Sequence, residues 1–346
     1  MINQAISELF LGNDLSKETA GQVMNQMMEG QATDSQMGAY LAALRMKGET
    51  IDEITASAEV MRDKGLKLSA KKDVLDIVGT GGDELNSFNI STISAFVVAA
   101  AGVAVAKHGN RSVSSKCGSA DVLEALGANI FLTADQSAQI LEETDFCFMI
   151  AQTYHSAMKH VAPVRKQLGA RTMFNILGPL ANPAGATKQL LGVYDEKLVE
   201  PLAQVLNQLN VKRAMVVHGH DGLDEITITD TTTICEVNDG KVTSYFITPE
   251  QFGLERGQLS ELIGGDPEEN AQIALDILNG EQSARRNIVV MNAACCLYMG
   301  KDDLSLRDCV RLAEEMLDSG KAKAKLDEFI AATNLIGQEV LHEYLR

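Results

Sequence analysis

The chain has 346 residues, of which 45% are hydrophobic, so it can bury a full core and is long enough for two domains or one large domain with an appended lobe. Its 30 basic and 47 acidic residues give a net charge of −17, which argues against a surface that holds nucleic acid or an anionic membrane. Its six cysteines include no C-x-x-C pair, so they indicate neither a zinc site nor a disulfide framework and fit a reducing cytoplasm. The sequence shows neither a secretory signal nor an apolar run of about 20 residues, so we expect a cytoplasmic protein.

The first 70 residues are predicted to form a small all-helical lobe. Thr33 with Gln36 and Thr50 with Glu53 have the spacing of capping boxes, which begin helices. Apolar residues such as Leu41 and Leu44 follow at helical spacing. The lysine-rich stretch at residues 64–72 is typical of a linker, so a second unit is expected after it.

Residues 71–346 are predicted to form an α/β domain with a mainly parallel central sheet flanked by helices. A strand over residues 74–78 is followed by a helix over 91–101, a strand over 103–106 and a polar loop over 107–118. Later units repeat this alternation, with a strand over 214–217 and a buried helix over 288–299. Alternating strands and helices favour parallel strands with helices on both faces.

A glycine-rich segment at residues 79–83 directly follows the first strand, and a polar segment at 86–92 begins the next helix. Glycines let the backbone turn tightly beside a ligand, and the free N–H groups of a helix start attract phosphate. The pattern is neither the dinucleotide-binding G-x-G-x-x-G nor a Walker A loop. It predicts a phosphate cradle, although a glycine turn followed by an ordinary helix cap has the same appearance.

A basic segment at residues 107–116 follows the second strand and contains Lys107, Arg111 and Lys116 among several serines. Because ligands bind beyond the carboxyl ends of parallel strands, we expect this segment to meet the glycine-rich one. Its cations and hydroxyls suit an anion, and the alternative is a solvated basic loop.

Asp224 and Glu225 are adjacent carboxylates just beyond the strand that ends at residue 217. Such a pair suits a hard cation such as magnesium, which keeps waters and bridges to pyrophosphate oxygens. The nearby His218 and His220 leave a transition metal open. A polar turn with solvated acids is the remaining alternative.

Arg165 offers a planar guanidinium that matches a carboxylate, and the Gly178-Pro179 turn supplies a rigid wall further along the chain. A surface or structural ion pair is the alternative role of this arginine.

These segments, in this order and spacing, closely resemble the anthranilate phosphoribosyltransferase family over nearly the whole chain. The motifs that carry the resemblance lie at residues 79–83, 89–92, 107–115, 118–121 and 223–225, with a further Asn292-Ala293-Ala294 motif near the end. The resemblance implies a nucleoside phosphorylase/phosphoribosyltransferase-like fold, in which residues 160–185 contribute to the helical lobe. It also implies transfer of a phosphoribosyl group from phosphoribosyl pyrophosphate to anthranilate in tryptophan biosynthesis, and a homodimer formed through the helical lobe.

The resemblance assigns residues to each part of the reaction. It places the donor on Gly79, Gly82, Asp83, Ser87, Asn89, Ile90, Ser91, Thr92, Lys107, His108, Gly109, Asn110, Arg111, Ser112, Val113, Ser114, Ser115 and Ser119. It places Mg²⁺ on Ser91, Asp224 and Glu225. It places anthranilate on Gly79, Asn110 and Arg165, with a path lined by His108, Tyr154, His155, Gly178 and Pro179. Departures from the family pattern are confined to Cys117, Gln152, Thr153 and Ser156.

The expected chemistry displaces pyrophosphate from the ribose by an aromatic amine. Because an arylamine is neutral at pH 7, rate should come from orienting the substrates and from stabilising pyrophosphate with magnesium, Lys107 and helix N–H groups. Lys107 and His108 are the candidate catalytic residues, His108 as an aid to proton removal. Two alternatives remain at this point. One is a pyrimidine nucleoside phosphorylase-like enzyme, and the other is a catalytically silent relative that binds nucleic acid.

Overall fold

The structure is a computed structural model that describes residues 1–112 and 115–344. Its amino-terminal part consists of four helices, α1 (Ile2–Phe10), α2 (Lys17–Met28), α3 (Asp34–Lys47) and α4 (Ile51–Lys64). Both predicted capping boxes are present. The hydroxyl oxygens of Thr33 and Thr50 accept the backbone N–H of the third helical residue, and the backbone N–H of each threonine donates to the side-chain oxygen of that residue. The predicted helical lobe is confirmed.

Three short helices later in the chain are α8 (Ala151–Tyr154), α9 (Ala162–Leu168) and α10 (Phe174–Leu180). Val164, Phe174 and Leu177 from this region are buried in the same hydrophobic cluster as Met24 and Tyr40 of the amino-terminal helices. If residues 160–185 contribute to the helical lobe, they must pack against its helices, and these three residues do so. The exact division of the chain near residue 70 stays a prediction.

The larger part of the chain is built on one seven-stranded sheet. Its strands are β1 (Leu75–Gly79), β2 (Val105–Gly109), β3 (Phe146–Ile150), β4 (Lys188–Gly192), β5 (Arg213–Gly219), β6 (Thr232–Asn238) and β7 (Lys241–Ile247). The spatial order is β3-β2-β1-β4-β5-β6-β7, and the first five strands are parallel. The mainly parallel sheet is confirmed. The order of strands reverses between β1 and β4, which creates the kind of crevice where α/β proteins bind ligands.

The last two strands form an antiparallel hairpin that the sequence analysis did not predict. β6 pairs with β5 and with β7, and Asp239 and Gly240 connect them in the left-handed backbone region. The N–H of Asp239 donates to the carbonyl of Lys212, just before β5, at 2.8 Å. The hairpin turn therefore lies at the amino-terminal end of the parallel strands.

Helices cover the sheet and complete the main core. They are α5 (Ile90–Ala100), α6 (Ser119–Ala125), α7 (Ala134–Thr144), α11 (Val199–Gln208), α12 (Pro267–Leu278), α13 (Ala284–Gly300), α14 (Leu306–Asp318) and α15 (Lys321–Tyr344). α5 and α13 are buried along most of their lengths, which explains their nearly continuous apolar sequences. Among the described helices, none combines the length and apolar character required to cross a bilayer.

The predicted start of the basic loop at residue 107 is wrong. β2 continues to Gly109, so Lys107, His108 and Gly109 belong to the strand. Apolar patterning ends at Ala106, yet Lys107 and His108 are both buried. A polar residue can end a buried strand when its side chain finds a partner. The Lys107 ammonium has such partners, whereas the Nε2 of His108 has none among the described residues.

Candidate active site

The turn after β1 lies against the carboxylate of Asp224. The N–H of Gly81 donates to Asp224 Oδ2 at 2.8 Å. A Cβ atom added to Gly79 would collide with the same carboxylate, so this position has room only for glycine. The loop that begins at Gly79 and the loop that carries Asp224 therefore meet at the carboxyl ends of β1 and β5.

The side chain of Lys107 links the end of β2 to β1 and to the start of α5. Its buried ammonium donates to the carbonyl oxygen of Ile77 and to Ser91 Oγ, the latter at 3.1 Å. Burial lowers the pKa of Lys107, and the negative charge of Asp76 opposes that shift. A cation is thus held in place beside the start of α5.

The start of α5 is the part of the predicted cradle that offers helix N–H groups. Asn89 is its N-cap residue, and Ser91 and Thr92 lie in the first turn. The Nδ2 of Asn89 donates to the Cys117 carbonyl at 3.3 Å, while its Oδ1 accepts from Asn270 at 2.9 Å. Thr92 Oγ1 is buried without a hydrogen-bond partner among the described residues. Ile90 is buried beneath this turn, and Ser87 forms an isolated β-bridge with Ile263.

Three carboxyl groups, those of Asp83, Asp224 and Glu225, lie close to one another at this edge of the sheet. Burial and the charge of Asp83 raise the pKa of Asp224 to about 7. Burial and the charge of Asp224 raise the pKa of Glu225 well above its usual range, and burial raises that of Asp83. Asp224 is buried, Asp83 and Glu225 are half-buried, and the buried ammonium of Lys107 is near Asp224 and Glu225, so this concentration of acidic groups fits a site that gains a divalent cation.

The two histidines near this carboxylate pair face other groups. His218 Nδ1 lies 2.7 Å from the carbonyl oxygen of Val193, and His220 Nε2 lies 2.8 Å from Thr233 Oγ1. Within the described residues, no cluster of three or more His, Cys, Asp or Glu side chains is placed to hold a metal by itself. The arrangement therefore fits magnesium, which commonly takes one or two carboxylates and completes its oxygen shell with substrate and water, better than a transition metal.

His108 is buried at the end of β2 with its Nε2 unpaired among the described residues. Its backbone N–H donates to Asp76 Oδ1 at 3.2 Å, and its ring lies edge-on to that of His155 with centroids 5.1 Å apart. Burial and the proximity of His155 lower the pKa of His108 to about 3. The imidazole is consequently neutral at pH 7, with a nitrogen that is free to exchange a hydrogen bond with a ligand.

The loop beyond β2 is organised by Asp121. Its carboxylate accepts the N–H groups of Ser112 and Gly118 at 3.0 and 2.9 Å and also pairs with Arg111 at 2.8 Å. Ser119 Oγ donates to the carbonyl of Asn110 at 3.3 Å. These bonds tie residues 110–112 to the start of α6, and Ser115 lies near Ser112. The predicted donor residues Val113 and Ser114 lie outside the described residues.

Arg165 is a half-buried residue of α9 with its guanidinium 5.4 Å from the centroid of the Phe174 ring. Burial lowers its pKa. No carboxylate of the described residues lies within 4.0 Å of its charged nitrogens, so the structural ion pair considered from the sequence is absent there. Among the described residues its guanidinium also makes no hydrogen bond to the loops above.

Nearly the whole chain matches known proteins with the same two-part organisation. Residues 3–65 match the helical bundle domain of a glycosyl transferase family, and residues 71–323 match the a/b domain of that family. The chain is 64% identical to the anthranilate phosphoribosyltransferase of Ruminiclostridium cellulolyticum, over 98% of this chain and 100% of that protein. The chain belongs to the anthranilate phosphoribosyltransferase family. It is also 57% identical to the anthranilate phosphoribosyltransferase of Methanobrevibacter smithii, over 96% of this chain and all of that one.

Solved anthranilate phosphoribosyltransferases share the fold. The enzyme from Thermus thermophilus superposes with a TM-score of 0.91 at 43% identity, covering 95% of this chain and 99% of its own. The enzyme from Saccharomyces cerevisiae, solved in complex with PRPP and Mg, superposes with a TM-score of 0.89 at 27% identity, covering 96% and 98% of the two chains. The family resemblance read from the sequence is confirmed.

Three residues of this family member's site were not singled out from the sequence. Arg171 donates to the carbonyl of Gly82 and lies 4.4 Å from the centroid of the Tyr194 ring. Asp76 supports His108, and Asn270 supports Asn89. All three act across long sequence separations. Only Asp76 left a local signal, since it is a charged residue inside an otherwise apolar strand.

Proposed function

We propose that this chain transfers the phosphoribosyl group of phosphoribosyl pyrophosphate to anthranilate, giving N-(5-phosphoribosyl)anthranilate and pyrophosphate, as a step of tryptophan biosynthesis. The observation that carries the proposal is the meeting of the Gly79 turn, Lys107 with Ser91, and Asp224 at the point where the strand order reverses. Similarity at 64% identity to an anthranilate phosphoribosyltransferase supports this activity over a nucleoside phosphorylase or a silent nucleic-acid-binding relative.

The donor is proposed to lie across the crevice on the residues named for it above. The N–H groups at the start of α5 would receive phosphate oxygens, because a helix N-terminus is a favourable anion site. Lys107 is already fixed beside Ser91 and would offset the charge that develops on the departing pyrophosphate. Arg111 is paired with Asp121 and Glu124, so it would be shared between these acids and the donor.

Ser91, Asp224 and Glu225 are proposed to hold magnesium together with oxygens of the donor. When bound, the ion would neutralise charge on pyrophosphate as that group leaves the ribose. The raised pKa values of both carboxyls support this role, because their shared negative charge is poorly compensated in the protein alone. The relative solved with PRPP and Mg has the same fold.

Arg165, Gly79 and Asn110 are proposed to bind anthranilate. The Arg165 guanidinium has its five N–H donors available to a carboxylate, because no acid of the described residues pairs with it. Neutral His108 would accept a hydrogen bond from the amine through its unpaired Nε2, and its lowered pKa makes it a weak base for removing the proton. His155 and the Gly178 backbone, which contact His108, would border the path of the acceptor.

The helical lobe is proposed to pair with a second copy of this chain. Phe10, Leu11 and Met46 are exposed by 70%, 76% and 87%. Phe10 and Met46 line a groove together with Leu9, Gly12, Ala39, Ala42, Ala43 and Lys47. Large exposed apolar side chains in one patch are typical of an interface. Sedimentation equilibrium tests this dimer. We also propose a cytoplasmic location, which the six free cysteine thiols support.

The activity is tested by mixing the purified protein with anthranilate, phosphoribosyl pyrophosphate and Mg²⁺ and following the loss of anthranilate fluorescence. We expect saturable loss that requires all three components. Product identity is checked by mass spectrometry. Release of ribose phosphate from nucleosides and phosphate, without consumption of anthranilate, would instead support the nucleoside phosphorylase alternative.

Substitution of Gly82 by valine is expected to weaken donor binding by at least about tenfold. Gly82 has a φ of +78°, where a β-branched residue is strained, and its Cβ would point toward Arg171. Each 1.4 kcal/mol of strain or lost contact corresponds to about a tenfold change in affinity. Calorimetric titration with phosphoribosyl pyrophosphate measures the effect.

Gly253→Val is the matched control for Gly82→Val. Gly253 has a φ of +76° with no atom within 4 Å of an added Cβ, so it carries similar backbone strain away from the cradle. We expect its affinity for the donor to match the wild type. Unchanged donor affinity in folded Gly82→Val would remove this turn from the donor site.

A further inference from the structure

Helix α13 supports both sides of the proposed magnesium site. On one side, Ser94 of α5, one turn beyond Ser91, donates its hydroxyl to the Val289 carbonyl at 3.3 Å. On the other side, Asn292 bonds to the backbone of Ile226, the residue directly after Glu225. α13 is buried along most of its length, so it is a fixed part of the core against which both ligand-bearing segments rest.

Asn292 uses its amide on both polar groups of Ile226. Its Oδ1 accepts the Ile226 N–H at 3.1 Å, and its Nδ2 donates to the Ile226 carbonyl at 2.8 Å and to the Ile288 carbonyl at 2.9 Å. The residue is 0% exposed, so water cannot replace these bonds. The Ile226 N–H belongs to the same planar peptide unit as the Glu225 carbonyl. Holding that N–H therefore fixes the backbone orientation from which the Glu225 side chain projects.

This restraint matters because Asp224 and Glu225 lie in a segment after β5 that belongs to no helix or strand. Ligands that must first be ordered before they bind an ion have a lower apparent affinity for it. The bonds of Asn292 order the backbone beside these two residues before any ion binds. The Asn292-Ala293-Ala294 motif was noted in the sequence without a role, and the bonds of Asn292 supply one.

We propose that Asn292 is a positioning residue for the metal, which holds Asp224 and Glu225 in place through the Ile226 backbone. The proposal rests on the proposed magnesium site. It differs from a purely structural role because removal of the Asn292 amide should weaken metal binding more than it weakens donor binding without metal. Groups that orient metal ligands from behind are typically worth about 10- to 100-fold in metal affinity.

The test uses Asn292→Ala and Asn292→Asp in the full-length protein, with Mn²⁺ as a paramagnetic substitute for Mg²⁺. The loss of the free Mn²⁺ electron paramagnetic resonance signal, at a fixed concentration of phosphoribosyl pyrophosphate, gives the metal affinity. We expect both variants to bind Mn²⁺ about 10- to 100-fold more weakly than the wild type. Calorimetry without metal should show unchanged donor affinity. Asn292→Asp keeps an acceptor for the Ile226 N–H but loses the donor to the Ile226 carbonyl and places a carboxylate oxygen against it, so it also disturbs this backbone and decides the outcome if Asn292→Ala does not fold.

Thr333→Val is the matched control. Thr333 is also fully buried on a core helix, and its hydroxyl accepts the backbone N–H of Asn129 at 3.2 Å, in a segment without proposed site residues. This variant should lose thermal stability and keep the Mn²⁺ affinity of the wild type. Wild-type Mn²⁺ affinity in a folded Asn292 variant would overturn the positioning role alone. Failure of the wild-type protein to bind Mn²⁺ with the donor would overturn the magnesium site and this role with it.

Discussion

Simultaneous replacement of Asp224 by asparagine and Glu225 by glutamine is expected to lower kcat by about three orders of magnitude at saturating Mg²⁺. The variant keeps the shape of both side chains and removes the charges that would hold the metal. Metal stabilisation of a leaving group is worth several kcal/mol, and each 1.36 kcal/mol is about tenfold in rate. Steady-state rates over a range of Mg²⁺ concentrations measure the loss, with the exposed Glu255→Gln as a control that should keep full activity.

The same double variant should be more stable than the wild type without metal, in a pH-dependent way. The pKa of Asp224 is about 7 in the folded protein against an ordinary value of 3.8. A carboxyl with a raised folded pKa costs no stability below its ordinary pKa, and the cost grows as pH rises from about 4 to about 7. Calorimetric melting in a chelator should therefore show a gain at pH 8 that disappears near pH 4. If the double variant has a lower melting temperature than the wild type at pH 8, its loss of turnover results from a damaged fold.

Arg165→Ala is expected to raise the KM for anthranilate by about one to two orders of magnitude and to leave the KM for the donor nearly unchanged. A charge-assisted hydrogen-bond pair to a carboxylate is worth about 1.5 to 3 kcal/mol, which corresponds to that range. Lysine should restore only part of the loss, because an ammonium cannot reproduce the planar fork. Kinetics with each substrate varied in turn separate the two constants.

The competing role for Arg165 is structural. Its guanidinium lies 5.4 Å from the Phe174 ring centroid, so the residue could also stabilise the packing of α9 on α10. That role predicts a lower melting temperature and equal increases in both KM values. The exposed Arg307→Ala serves as the control for loss of an arginine, and it should change neither KM. Equal damage to both substrates in Arg165→Ala would mean that anthranilate is recognised elsewhere.

Local patterns in the sequence were sufficient for much of this architecture. The capping boxes at Thr33 and Thr50 begin helices because their bonds span only three residues. The alternation of strands and helices predicts a parallel sheet, and parallel strands place their following loops at one edge. For this reason the meeting of the Gly79 turn, Lys107 and Asp224 could be anticipated without coordinates.

The parts that the sequence analysis missed depend on distant contacts. Polarity normally ends a buried strand, so Lys107 and His108 are predicted in a loop, whereas Ser91 accepts the Lys107 ammonium and Asp76 accepts the His108 backbone N–H within the strand. Arg171 reaches Gly82 across 89 residues, and Asn292 reaches Ile226 across 66. Single-sequence periodicity contains no information on such pairs, because it reports only which face of one element is buried.

The position of the β6–β7 hairpin has a consequence for how this protein can change over evolution. Its turn at Asp239 and Gly240 lies beside Lys212, at the amino-terminal end of the parallel strands, whereas Asp224 lies beyond their carboxyl ends. Insertions at that turn would lengthen a surface loop without moving a group that contacts either substrate. Sequence divergence and new binding surfaces are thus expected to accumulate at the hairpin end, while chemistry constrains the opposite end of the same sheet.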